Sequence, residues 1–179
     1  TMSRNDVEFD SSGTTCRAWW YRPEGTTPAP VIVMAHGLGA VRRMRLDAFA
    51  ERFTAAGYSC LVFDYRHFGD SDGEPRQLLS IRRQLDDWAA AIAFARTLSG
   101  VDTSRIVLWG TSFGGGHALV DDERDVGVGR GLGRQLRRGH RVTGGRDDRV
   151  EVELGGDGAL RQLQGRADLG VQLARVPDD

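Results

Sequence analysis

Three runs of uninterrupted apolar residues punctuate the first 120 positions: VIVMAHG at 31–37, YSCLVFDY at 58–65 and RIVLWG at 105–110. Each is short and ends at a glycine or a polar residue. Continuous rather than alternating apolarity suits a strand covered on both faces, as in a parallel sheet. Between these runs the spacing changes. Leu46, Phe49, Ala50 and Phe53 fall on one face of a helix over 46–56, and Gly57 is a natural stop. Ile81, Leu85, Trp88, Ala89, Ile92 and Leu98 do the same over Ser80 to Leu98, with Gly100 just beyond. Ahead of the first run, TTCRAWW at 14–20 reads as a strand paired with DVEFD, and TTPAP reads as a turn. VDTSR leads into the third run. Buried strands alternating with amphipathic helices predict an α/β fold built on a mostly parallel sheet with flanking helices.

After Val120 the pattern is lost. Gly, Arg and Asp make up about half of residues 121–179, far above ordinary globular usage, and aromatic residues, isoleucine and methionine are absent there. Within this tail RVEVEL reads as an exposed alternating strand, and ALRQLQGRADLGVQLARV as a weak helix broken by Gly165 and Gly170. Glycine raises the entropy cost of ordering, and few large apolar groups offset it, so a poorly ordered tail is expected. A sheet that stops at the third run would leave the edge of that strand open.

The length of 179 residues suits one domain, and the formal net charge of −1, without a basic block, points away from nucleic acid and anionic membrane surfaces. No apolar run approaches the roughly 18 residues of a membrane span, and TMSRNDVEFD lacks a signal-peptide core, so a cytoplasmic location is expected. Cys16 and Cys60 sit in strand-like apolar stretches and read as buried free thiols. His and Cys do not cluster at metal-ligand spacing, so no metal site is expected. All 24 basic residues are arginine, a composition that GC-rich coding DNA produces.

The chemistry concentrates at Gly110-Thr111-Ser112-Phe113-Gly114. A nucleophile at the C-terminal end of a parallel strand must stand clear of the sheet, and a sharp strand-to-helix turn achieves this. Helix and strand then approach closely two positions before and after the serine, where Gly110 and Gly114 leave room. A second glycine-rich stretch, His36-Gly37-Leu38-Gly39, follows the first apolar run. Acyl transfer develops negative charge on a carbonyl oxygen, which fixed N–H donors stabilise. The backbone N–H groups of Leu38 and Phe113 are the candidate donors, with His36, Gly37, Gly39, Gly110 and Gly114 shaping their loops.

Three motifs together, HGLG at 36–39, FDYRHFGDSDG at 63–73 and GTSFGG at 110–115, resemble the α/β-hydrolase superfamily in order and spacing. The middle one is similar to that family's Asp-x-Arg-Gly-x-Gly-x-Ser loop after the fourth strand, with Phe68 and an extra residue departing from it. The helix RRQLDDWAAAIAFAR is similar to the Xaa-Pro dipeptidyl-peptidase-like and dienelactone-hydrolase-like groups. The resemblance spans about residues 5–120. It implies that Ser112 attacks an ester, thioester or amide carbonyl of a small acyl substrate, with a histidine taking its proton, an acid orienting that histidine, and neither metal nor organic cofactor.

The family order is serine, then acid, then histidine, on loops after later strands. His36 belongs to the oxyanion loop, His67 precedes the serine, and His117 lies on the helix after it, pointing away. Only His140 follows in order, with Asp121, Asp122 or Asp125 between, and that interval is too short. A strand, a helix and their loops take roughly 25–30 residues, so the missing part of the sheet needs roughly 80. The hydrolase-type domain therefore reads as cut short after the helix that follows Ser112. Either the tail is GC-rich DNA translated out of frame or it is a genuine divergent segment; in the first case the chain is a catalytically inactive fragment, or at most a binding module.

Overall fold

The computed structural model describes residues 2–25, 28–118 and, as backbone, 171–176. The chain opens with a hairpin, β1 (Ser3–Ser11) and β2 (Thr14–Arg22), paired antiparallel with Asp6 opposite Trp19. Ser12 and Gly13 turn it with φ of 53° and 82°, the double positive φ that a tight two-residue loop between twisted strands requires. β3 (Ala29–Ala35), β4 (Ser59–Phe63) and β5 (Val101–Thr111) follow, separated by α1 (Leu46–Ala55) and α2 (Ile81–Ala95). A short helix, α3, covers residues 113–118.

With a last strand, β6 (Val171–Val176), the sheet order is β1-β2-β4-β3-β5-β6. β3 lies at the centre, parallel to β4 on one side and to β5 on the other. The three uninterrupted apolar runs are these three parallel strands, and the reason is visible on both faces. Val31, Val33 and Ala35 face α2, where Trp88, Ala91, Ile92 and Ala95 cover them. Ile32 and Met34 face α1 and its Leu46, Ala50 and Phe53. Each face of β3 is dry, so neither could tolerate a polar residue.

Two boundaries move. β5 begins at Val101, four residues before the run RIVLWG, because Ala29 and Pro30 pair with Val101 and Asp102 before the register shifts to Val31 opposite Ile106. The residues between form a bulge around Asp102, whose carboxylate accepts bonds from the Ser104 backbone N–H, the Ser104 hydroxyl and Arg105. α2 starts at Ile81 behind Ser80, whose hydroxyl accepts a long 3.5 Å bond from the Arg83 N–H, and it ends at Ala95 rather than Leu98.

The tail corrects one expectation. Residues Val171–Val176, the end of the segment read as a weak helix, form β6, which pairs antiparallel with β5 from Ile106–Val176 to Thr111–Val171. The outer edge of β5 is therefore paired rather than open. Gly170 separates this stretch from the helical spacing before it, and VQLARV is short enough for a strand to satisfy its backbone along a waiting edge. The expected strand RVEVEL and the segment around His140 lie outside the described residues. Among the described residues no helix is long and apolar enough to cross a membrane.

Candidate active site

Ser112 sits where β5 ends and α3 begins, at φ 51°. A left-handed backbone at a non-glycine residue is costly, and it holds the side chain at the apex of the turn. The two glycines make that turn sterically possible. A Cβ on Gly110 would lie 2.3 Å from the Gly114 carbonyl carbon, and one on Gly114 would lie 2.5 Å from the His36 carbonyl oxygen. α3 is thus pressed onto the ends of both β5 and β3, and any side chain at either position would force them apart. The Ser112 carbonyl accepts from the N–H groups of Gly115 and Gly116, which closes the first turn of α3. Phe113 opens that helix, so its N–H belongs to the set that has no partner inside the helix.

The loop after β3 lies against this turn. A Cβ on Gly37 would sit 3.3 Å from the Ser112 Cβ and 3.1 Å from the Thr111 carbonyl oxygen, so Gly37 passes directly beside the nucleophile candidate. Gly39, at φ 65°, lets the loop turn outward, and Leu38 is exposed between them. The Gly37 carbonyl accepts from the His36 Nδ1–H at 3.0 Å and from the Ala40 N–H at 3.3 Å.

Each described histidine is committed to packing. His36 is buried, with Tyr65 edge-on at 4.7 Å, and burial lowers its pKa below the usual 6.5, so the ring is neutral with its proton on Nδ1. His117 is buried against Phe113 and Tyr65 and donates from Nε2 to Gln84 Oε1 at 2.9 Å; burial lowers its pKa as well. His67 is buried after β4 and accepts from Arg83 at 3.3 Å. None of the three is hydrogen-bonded to Ser112. His140, Asp121, Asp122 and Asp125 lie outside the described residues. Cys16 and Cys60 are buried free thiols, and burial pushes the Cys60 thiol up to about 12 and raises that of Cys16, which keeps both unreactive at neutral pH. Among the described residues no cluster of His, Cys, Asp or Glu could hold a metal ion.

The loop after β4 corrects the motif reading. His67 has φ 70° and Gly69 φ 54°. Asp64, Arg66, Gly69 and Ser71 fall on the Asp-x-Arg-Gly-x-Gly-x-Ser pattern without an insertion, and the single departure is His67 at the first glycine position. The left-handed backbone is kept there even though a side chain must be accommodated, and Gly73 makes room: a Cβ on Gly73 would meet the His67 Nδ1 at 2.6 Å.

Sequence inspection missed Asp64 and Arg42. Asp64 is fully buried, and its carboxylate accepts from the Arg42 N–H at 2.6 Å, the Arg42 guanidinium and the Asp70 N–H at 3.2 Å. Arg42 lies in the polar run VRRMRL, which gives no sign of burial, yet it is 3 % exposed and stacks over Trp19 at 4.8 Å. An open cleft of about 380 Å³ beside it is lined by Glu8, Arg17, Arg42, Arg43 and Asp70, among others, and includes neither Ser112 nor Leu38. Its charges are largely matched within it, Arg17 with Glu8 and both Arg42 and Arg43 with Asp70.

This turn, loop and strand arrangement coincides with a known family. The model of the serine aminopeptidase S33 family matches residues 26–121, more than half of the chain. The chain belongs to this family of α/β hydrolases. It is 63% identical over 120 residues to the quorum-quenching protein AidA of Acinetobacter baumannii, covering 67% of this chain and 40% of that one. It is 39% identical over 116 residues to the thiohydrolase aneE of Aspergillus aculeatus, covering 64% and 36%. Among solved structures, DcsB in complex with its substrate analogue is similar with a TM-score of 0.64 and 34% identity, covering 72% of this chain and 42% of that one. The α/β hydrolase GrgF from Penicillium sp. is similar at 0.63 and 33%, covering 67% and 41%. The α/β-hydrolase chain described here thus spans about two fifths of the length of these relatives.

Proposed function

We propose that Ser112 is the nucleophile of a serine hydrolase acting on a small ester, thioester or amide through an acyl-enzyme. The observation that carries this reading is the backbone of Ser112: φ 51° at the apex between β5 and α3, with Gly110 and Gly114 in backbone contact behind it. Such a turn costs energy and has a use only if the side chain it presents must be reached. The N–H of Phe113, at the start of α3, and that of Leu38, one residue beyond the Gly37 that passes beside Ser112, are the proposed oxyanion donors. Attack by the Ser112 hydroxyl would form the acyl ester and expel the alcohol, thiol or amine; water would then release the acid. The thiohydrolase among the relatives makes a thioester a reasonable first substrate to try.

A second reading is a catalytically inactive hydrolase fragment whose tail is translated out of frame. It is favoured by the three described histidines being engaged elsewhere and by the family match ending at residue 121. A fluorophosphonate probe separates the two, because it reacts only with an activated serine. The first reading expects one covalent adduct by intact mass, absent in Ser112→Ala. No adduct on the folded protein supports the second, and translation of the other two frames after codon 120 should then reveal apolar strands followed by a late Asp and His.

A further inference from the structure

We infer that Asp64 is a positioning residue for the oxyanion loop, holding the Gly37–Leu38 peptide in the orientation that turns the Leu38 N–H toward Ser112. This rests on the nucleophile reading above for its functional consequence, but not for its structural content.

Asp64 ties down the far end of the loop, and the near end is held by packing around His36. At the far end, the Asp64 carboxylate accepts from the backbone N–H of Arg42 at 2.6 Å and from its guanidinium. At the near end the carboxylate makes no hydrogen bond: Asp64 Oδ1 lies 3.6 Å from His36 Nε2, which carries no proton in the neutral ring, and it is Tyr65 and Phe68, from the loop that Asp64 opens, that close around the ring at 4.7 and 6.1 Å. The ring's other nitrogen donates to the Gly37 carbonyl. The peptide unit is planar and trans, so fixing the Gly37 carbonyl fixes the opposite direction for the Leu38 N–H. Leu38 itself is exposed and makes no such tie through its side chain. Its amide is therefore aimed by its neighbours: Ala40 and His36 on the Gly37 carbonyl, and Arg42, held by Asp64, at the far end of the loop. Gly69 is part of the same device, because a Cβ there would lie 2.2 Å from Asp64 Oδ2 and displace the carboxylate.

The carboxylate is also anchored from behind. The Asp64 N–H donates to the Arg17 carbonyl, and its own carbonyl accepts from the Ser71 hydroxyl at 2.7 Å. Asp64 thus belongs to the rigid end of β4, and the loop after β3 is held to it rather than the reverse. A donor displaced by even about 1 Å loses much of its effect on a developing oxyanion, roughly a hundredfold in rate.

The test uses the full chain and Asp64→Asn, which keeps the shape but loses the charge and one acceptor oxygen. Two readouts are taken. Hydrogen exchange of the amides of residues 38–43 should quicken by about tenfold relative to those of β3 and β5. In fluorophosphonate labelling, kinact should fall by roughly a hundredfold while KI stays within about twofold, because the loop acts on the transition state rather than on binding. Asp102→Asn, which disturbs an ion pair at the opposite end of β5 from Ser112, should change neither ratio when measured below its melting temperature. Arg42→Lys should give a milder version of the Asp64→Asn pattern and serves if that variant does not fold. Unchanged loop exchange, or a rise shared equally by the strands, would overturn the proposal. If the parent protein takes no label, the nucleophile reading fails, and loop exchange alone still decides whether Asp64 holds the loop.

Discussion

Among its described residues the molecule buries two arginine–carboxylate clusters, and they differ in what they hold. Arg66 and Asp87 join whole elements: the Arg66 guanidinium and backbone N–H both donate to the Asp87 carboxylate on α2, and Nη2 reaches the Ser11 hydroxyl at the end of β1. Arg42 and Asp64 join two loops at the C-terminal ends of β3 and β4, and the carboxylate is bonded to loop backbone as well as to a side chain. The first cluster fixes α2 and the hairpin to the end of β4. The second fixes the path of a loop that passes Ser112. Similar chemistry therefore serves fold stability in one place and site geometry in the other, and the difference lies in which groups complete the carboxylate's shell.

The largest expected effect breaks the first cluster. Asp87→Ala leaves Arg66 buried without its partner and should cost about 3–5 kcal/mol in chemical denaturation. The labelling rate per folded molecule should stay as in the parent. A loss of labelling in step with Asp64→Asn would erase the distinction between the clusters.

Gly114→Ala comes next. Its Cβ would meet the His36 carbonyl oxygen at 2.5 Å, a backbone atom that cannot swing away. We expect a loss of about 1–3 kcal/mol from overpacking. Unlike Asp87→Ala, this variant should also slow labelling, because it moves β3 and the Ser112 turn relative to one another.

A pH titration sharpens the comparison at smaller scale. His36 and His117, both near the site, have pKa values lowered by burial from the ordinary 6.5. The unfolded chain then binds more protons than the folded one as pH drops through 6.5, so stability falls on that side and levels off once the folded-state values are passed. His117→Asn should flatten part of this acid limb. A stability curve that rises as pH falls from 7 to about 5 would contradict the neutral buried rings. The smallest effect is that of Ser80→Ala, which removes the long hydroxyl bond at the start of α2 and should cost about 0.5 kcal/mol without touching labelling.

How much of this was legible in the sequence follows from the physics of each part. β3, β4 and β5 were readable because both of their faces are dry, which forces uninterrupted apolar runs such as VIVMA. α1 and α2 were readable from spacing because each buries one side. The turn at Ser112 was readable from its glycines, since close approach leaves a compositional mark. Asp64 and Arg42 were not. A buried ion pair is written in the same letters as a solvated one, and VRRMRL gives no hint that its first arginine is covered by Trp19 and two aspartates. β6 was misread because its partner is the edge of β5, and pairing across so many residues leaves no local pattern in VQLARV. His67 hid behind an assumed insertion; its left-handed φ of 70° places it on a glycine position of the motif.

The central claim is that the turn between β5 and α3 presents Ser112 as a nucleophile. It is tested most directly by mixing the full chain with an excess of a short-chain activated ester, quenching in acid and mapping the acylated peptide by mass. The account predicts a single acyl group on the peptide containing Ser112, absent from Ser112→Ala and slower to form in Asp64→Asn. A folded protein that carries no acyl group, or carries it on another residue at the same rate in Ser112→Ala, would contradict it.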